Sequence, residues 1–158
     1  MTKKNLAAAM EWLRPAGIAL AFFCAYWWGP DAVSRFHILG PSVVVLMCGT
    51  VALESLFLGE AAAGKIGYAP DRAYQIQSGL ANAAMAVTAL LVSALGWGRY
   101  AEAAIVTVML IFFALSAANH AARALREGNR QRANVLRPAM TLLLIGVLVP
   151  PLIDALGP

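Results

Sequence analysis

The sequence predicts an all-α integral membrane bundle of about five transmembrane helices. Three observations carry this. The chain of 158 residues is 61% hydrophobic and only 13% charged, with a mean hydropathy of +0.70; globular domains carry about 25% charged residues. The apolar residues fall in runs of about 20, the length that crosses a hydrocarbon core of about 30 Å at about 1.5 Å per residue. Those runs are apolar on every side, whereas a membrane barrel needs short alternating segments with a polar lumen face. A soluble chain this small could not cover so much apolar surface.

Residues 1–14 (MTKKNLAAAMEWLR) read as a basic, amphipathic lead, with Leu6, Met10 and Leu13 on one helical face, suited to lying at an interface. A charged lead before an apolar core also fits a signal peptide, but no small-x-small cleavage site follows, and Cys24 comes after Phe22-Phe23 where a lipoprotein signal has small residues. The expected spans are 15–33, with Trp27 and Trp28 as interfacial anchors, then 41–60, 74–95, 101–122 and 138–156, all within one transmembrane domain covering 1–158. DAVSRFHILGP is expected to connect the first two spans, with Pro41 in the first turn of the second. Residues 61–73 form a polar connection, Gly96-Trp97-Gly98-Arg99-Tyr100 a tight turn, and RALREGNRQRANVLR a basic loop. Cys24 and Cys48 fall inside apolar segments, where a thiol is usually inert.

Orientation follows from counting charge. With the N-terminus cytoplasmic and the C-terminus outside, Lys3, Lys4, Arg14, Lys65, Arg72, Arg123, Arg126, Arg130, Arg132 and Arg137 lie on the cytoplasmic side, and only Arg35 and Arg99 lie outside. That distribution obeys the positive-inside rule and implies a multi-pass protein of the bacterial inner (plasma) membrane. The net charge of +4 is therefore a topology signal that also meets anionic headgroups. Nucleic acid is not an expected partner, because no aromatic residue interleaves the arginines to stack bases.

The stretch from Glu54 to Asn82 gathers acids and amides in a chain that otherwise avoids them. Glu54 falls roughly 20 Å into the bilayer from Pro41, and Asn82 reaches a similar depth from the opposite direction. An intramembrane carboxylate is costly and marks a functional site by default. The structural alternative is a protonated Glu54 bonded to Asn82 or a serine as interhelical glue. Glu60, Gln75 and Gln77 lie near the same end, and Gln75, Gly79 and Asn82 recur at i, i+4, i+7, one helix face. The small pairs Gly79/Ala83 and Ala114/Ala118/Ala122 favour close helix approach. Asn119 and His120 end the fourth span on the same side. His120 could shuttle protons or hold a ligand, or simply suit the helix C-terminus. His37 lies a membrane thickness away, so the two histidines cannot share a haem iron within one subunit. Asp154 is expected to face water. No metal-spacing cluster, nucleophile elbow, P-loop or dinucleotide fingerprint occurs, so no cofactor or metal is expected.

Ile66-Gly67-Tyr68 and Tyr74-Gln75-x-Gln77-x-Gly79-x-Ala81-Asn82 resemble a bacterial and archaeal family of small, uncharacterised multi-span membrane proteins. Members carry Ile-Gly-Trp, then Phe-Gln-x-Glu, then Gly and Asn; here the aromatics are Tyr and the Glu is Gln77. Asn119-His120, Asn129 and Asn134 are similar to the family's Gly-His and paired Asn. The resemblance spans roughly residues 45–156, implies one site joining 60–82 to His120, and implies no activity.

The expected function is binding or transport of a small solute or ion at Glu54, Glu60, Gln75, Gln77, Asn82, Asn119 and His120 in the cytoplasmic half, by a homo-oligomer or part of a larger complex. A five-span monomer lacks the paired repeats of familiar alternating-access carriers. The alternatives are an accessory or assembly subunit and, behind it, an intramembrane enzyme acting on lipid or quinone.

Overall fold

The computed structural model describes residues 3–67, 69–129 and 131–157; the side chains of Lys3, Lys4, Lys65, Arg132 and Ala133 lie outside the description, as do the motif residue Tyr68 and Arg130. The described chain forms α1 (Lys3–Trp28), α2 (Ala32–Ile66), α3 (Arg72–Ala94), α4 (Arg99–Arg126) and α5 (Arg132–Leu156). All five are long and apolar enough to cross a membrane, which suggests a bilayer environment and a multi-pass protein.

Side-chain contacts fix how the helices run. Arg14 meets Thr50 and Glu54, while Gly29 lies against Arg35, so α1 and α2 are antiparallel. Gly59 lies against Gln75 and Gly79 against Leu56, so α2 and α3 are antiparallel as well. His120 bonds to Asn134, and Arg99 donates to the carbonyl of Ala155 at 3.0 Å, which makes α4 and α5 antiparallel. His37 pairs with Glu102 and Gly40 packs on Val106, so α2 and α4 run the same way. Helix α2 is the hub and packs against all four others; among the described residues α1 packs against α2 alone.

One end of the bundle holds the 28–32 and 94–99 turns and the end of α5, with exposed Trp27, Trp28, Trp97 and Tyr100 on it, an aromatic belt. The other end holds the 66–72 and 126–132 connections. The apolar core of Phe36, Leu39, Val43, Val44, Met85, Ala89, Val106, Met109 and Leu148 fills the half toward the aromatic end. Buried Thr50, Glu54, Gln75, Asn82, His120 and Asn134 fill the other half. Glu102 is the exception, sitting in the first turn of α4 where the helix dipole favours a carboxylate.

Several expected connections are helical. Over its described residues, 3–14, the lead is not a separate interfacial helix: α1 starts at Lys3 and continues through Pro15. DAVSRFHILGP does not connect spans; α2 starts at Ala32, where the Asp31 side chain accepts from the backbone N–H of Ser34 at 2.7 Å, and Pro41 lies inside the helix rather than in its first turn. A capped start of this kind recruits polar residues into a helix that hydropathy alone would not include. An interior proline removes one backbone bond, a loss that neighbouring helices make tolerable in membranes. Helix α2 likewise runs on to Ile66, and the basic stretch is helical up to Arg126 and again from Arg132.

Candidate functional site

Helix α2 breaks within the polar half. Leu58 leaves helical geometry (φ −123°, ψ 16°), which interrupts the regular i to i+4 bonding around it. Arg72, at the start of α3, donates to the carbonyls of Ser55 at 3.4 Å and Leu56 at 2.9 Å, three and two residues before the break. Irregular backbone at membrane depth persists only where protein or a water-filled cavity satisfies it; here a guanidinium contributes.

Glu54, one turn before the break, is buried and accepts from Nη2 of Arg14 at 2.5 Å; Nε of Arg14 donates to Oγ1 of Thr50 at 2.9 Å. Thr50 returns its own hydroxyl to the carbonyl of Leu46 at 2.7 Å. Of the two partners expected for Glu54, Asn82 or a serine, the first is not found: Glu54 is not bonded to Asn82. Asn82, fully buried, donates instead to the carbonyl of Ser78 one turn back, at 2.9 Å. A helical amide turned onto its own backbone leaves the opposing side chain to find a partner elsewhere.

Among the described residues, the seam between α2 and α3 holds the buried polar atoms that lack partners. Both amide atoms of Gln75 and Oδ1 of Asn82 are buried without a hydrogen-bond partner among the described residues. Gln75 is 8% exposed and Asn82 0%. They share one face of α3 with Gly79, about 10 Å apart along the helix at 1.5 Å per residue. Gly59, directly after the break, lets Gln75 in: a Cβ there would lie 2.1 Å from Oε1 of Gln75.

A second polar group ties the bundle end together. Arg137 on α5 donates to Nε2 of His120 at 2.7 Å, so Nε2 is the bare nitrogen and Nδ1 donates to Oδ1 of Asn134. Asn134 donates onward to the carbonyl of Asn129 at 3.1 Å. Asn129 in turn donates to the carbonyls of Ile66 at 3.0 Å and Gly67 at 3.3 Å, at the end of α2. Gly67 takes the left-handed φ of 70° that closes α2, its N–H reaching the carbonyls of Ala63 and Gly64. A Cβ at Gly67 would come within 2.9 Å of Oδ1 of Asn129, so conformation and space both ask for glycine.

Of the seven residues singled out from sequence, Glu54, Gln75, Asn82 and His120 are buried and Glu60, Gln77 and Asn119 are exposed. The buried four divide among three places: Glu54 faces α1, Gln75 and Asn82 lie in the α2–α3 seam, and His120 lies between α4 and α5. They share a level. His37 and Glu102 are in register, and Glu54 and His120 follow them by 17 and 18 residues on parallel helices, about 26 Å in each case. Arg14, Thr50, Arg72 and Arg137 complete these clusters. Sequence reasoning treated the arginines as topology charges; an arginine within a turn or two of the membrane boundary, opposite an intramembrane acid, was the available signal.

Residues 31–155 match a family described as a Family of unknown function (DUF6790). The chain belongs to that family. The match takes in α2–α5 and leaves out α1, so the carboxylate of Glu54 lies in the shared part and its Arg14 partner outside it. No curated protein and no solved structure matches the chain.

Proposed function

We propose that this DUF6790 member binds, and passes across the membrane, a small polar solute at the α2–α3 seam in its cytoplasmic half. The observation that carries the reading is the set of buried, unpartnered atoms on Gln75 and Asn82. An unpaired buried polar group costs about 1–3 kcal/mol, a cost that a hydrogen-bonding solute would offset. The break at Leu58 and the small residues Gly59 and Gly79 give the seam a place to open. Glu54 is engaged by Arg14, so the seam presents neutral amides; this favours a polar solute over a bare ion. The cytoplasmic assignment rests on the ten-to-two excess of basic residues at that end.

Proteoliposomes test it. Solute entry followed by light scattering, and ion entry by internal dyes, should exceed that of empty vesicles for at least one small polar solute. Gln75→Leu and Asn82→Leu should each lower that flux about tenfold, the effect of losing about 1.4 kcal/mol of binding. No flux above empty vesicles for any solute or ion would sink the proposal.

A second reading, an accessory subunit of a larger membrane complex, is favoured by α1, which lies outside the family match and, among the described residues, packs on α2 alone. Co-purification of a larger assembly in mild detergent that is lost on deleting α1 would support it.

A further inference from the structure

The unpartnered atoms of the α2–α3 seam have a composition as well as a location. Gln75 carries an acceptor, Oε1, and a donor, Nε2, on one carbon, and among the described residues neither has a partner. Because both lack one, turning the amide over changes nothing. Asn82 differs: its Nδ2 is committed to the carbonyl of Ser78 at 2.9 Å, so it presents an acceptor alone, Oδ1. Both side chains are more than nine-tenths buried. Gln75 lies in the first turn of α3, and Asn82 follows about 10 Å deeper along the same face. The seam therefore offers two acceptors and one donor, all neutral.

That composition selects by chemistry. An anion such as a carboxylate brings acceptors only, which would face Oε1 and Oδ1 with like partial charge. An ammonium or guanidinium brings donors only and would leave Nε2 unpaired. It would also carry a charge to a depth where the nearby carboxylate of Glu54 is already engaged by Arg14. Water or an alcohol puts donor and acceptor on one oxygen, which meets both ends of an amide only through bent, weaker bonds. A second amide has its carbonyl oxygen and its N–H set apart as in Gln75, so the two pair through two parallel hydrogen bonds. Packing adds a limit on size. A Cβ at Gly59 would lie 2.1 Å from Oε1 of Gln75, and one at Gly79 would lie 2.7 Å from Cγ of Leu56. A seam this close admits a few heavy atoms, preferably planar.

With the seam as the solute's route, on which this rests, we infer that the solute is a small neutral amide of the urea and acetamide class. It pairs face to face with Gln75 and passes an N–H on to Oδ1 of Asn82.

Isosteric solutes test it in proteoliposomes of the full chain. Urea and guanidinium share a shape, as do acetamide and acetate, but within each pair only the first offers both a donor and an acceptor. Radiolabelled urea should enter faster than into empty vesicles and about tenfold faster than radiolabelled guanidinium, the discrimination that one unpaired buried atom brings. Acetamide should slow urea entry, and acetate or glycerol at the same concentration should not. Gln75→Met keeps the length of the side chain, removes both polar atoms, and should lower urea entry about tenfold. The competition uses the unaltered protein, so it decides the matter even if that variant does not fold. Guanidinium entering as fast as urea, acetate competing as well as acetamide, or a folded Gln75→Met with full urea entry would overturn the inference. Entry of water or glycerol without urea would overturn it while leaving the seam as a route for another polar solute. No entry of any solute would remove both.

Discussion

Arg14 and Glu54, forty residues apart, form an ion pair at 2.5 Å between α1 and α2, with side chains only 15% and 6% exposed. Breaking a buried pair from one side strands a charge and costs about 3–5 kcal/mol, whereas replacing both partners with apolar residues is often neutral. Arg14→Met should therefore lower stability in detergent by about 3 kcal/mol, and Arg14→Met with Glu54→Leu should recover most of that. Unfolding of the two single variants and the double variant checks it. Additive losses in the double variant would show that the pair does not couple the two helices.

The five helices were legible because apolar runs near 20 residues have no other stable home. Their ends were not. Helix α2 extends to Ala32 on one side because Asp31 caps it, and to Ile66 on the other because Gly67 closes it, and hydropathy sees neither device. The buried polar residues stood out because Glu54, Gln75, Asn82 and His120 are rare types inside apolar helices. Gln77 and Asn119 were drawn in by proximity in sequence, although helical phase separates them: Gln77 is 200° around the helix from Gln75, and Asn119 100° from His120, at about 100° per residue. The break at Leu58 left no local signature, and Arg72, which donates to the carbonyls just before it, comes from the next helix.

Gly59 and Gln75 make a size-matched pair. A methyl at 59 would sit 2.1 Å from Oε1 of Gln75, far inside contact distance. Overpacking of this kind costs about 1–3 kcal/mol, so Gly59→Ala should destabilise the protein by that amount. Shortening the opposing side chain should restore it, making Gly59→Ala/Gln75→Ala more stable than Gly59→Ala alone. If the double variant is the weaker of the two, Gln75 moves aside freely and the seam is looser than the packing indicates.

Asp31 gives a pH dependence with a definite sign. The backbone N–H of Ser34, which donates to it, holds its carboxyl below the ordinary 3.8, and Arg35 lowers it further. A depressed folded-state pKa means stability that is fully present above 3.8 and is lost as the pH falls from there through the lower folded value. The side chain is wholly exposed, so the effect is small. Asp31→Asn keeps the cap without the titration and should flatten the stability profile below pH 3.8 relative to the unaltered protein; superimposable profiles would remove Asp31 from the acid response.

Asn134 is the link through which four segments hold one another. It is fully buried, accepts from His120 on α4, donates to the carbonyl of Asn129 in the α4–α5 connection, and so reaches the carbonyls of Ile66 and Gly67 at the end of α2. Asn134→Leu would leave Nδ1–H of His120 and the carbonyl of Asn129 to find new partners in a buried setting, at about 1–3 kcal/mol for an unsatisfied group. The loss should be local before it is global. Hydrogen exchange should quicken at Gly67 and across the α4–α5 connection, while the apolar half around Phe36, Val44 and Met109 keeps its protection. Asn129→Ala should loosen Gly67 without disturbing His120, since it cuts the chain one link later. A uniform rise in exchange across all five helices in Asn134→Leu would mean that the network carries the whole bundle rather than this end of it.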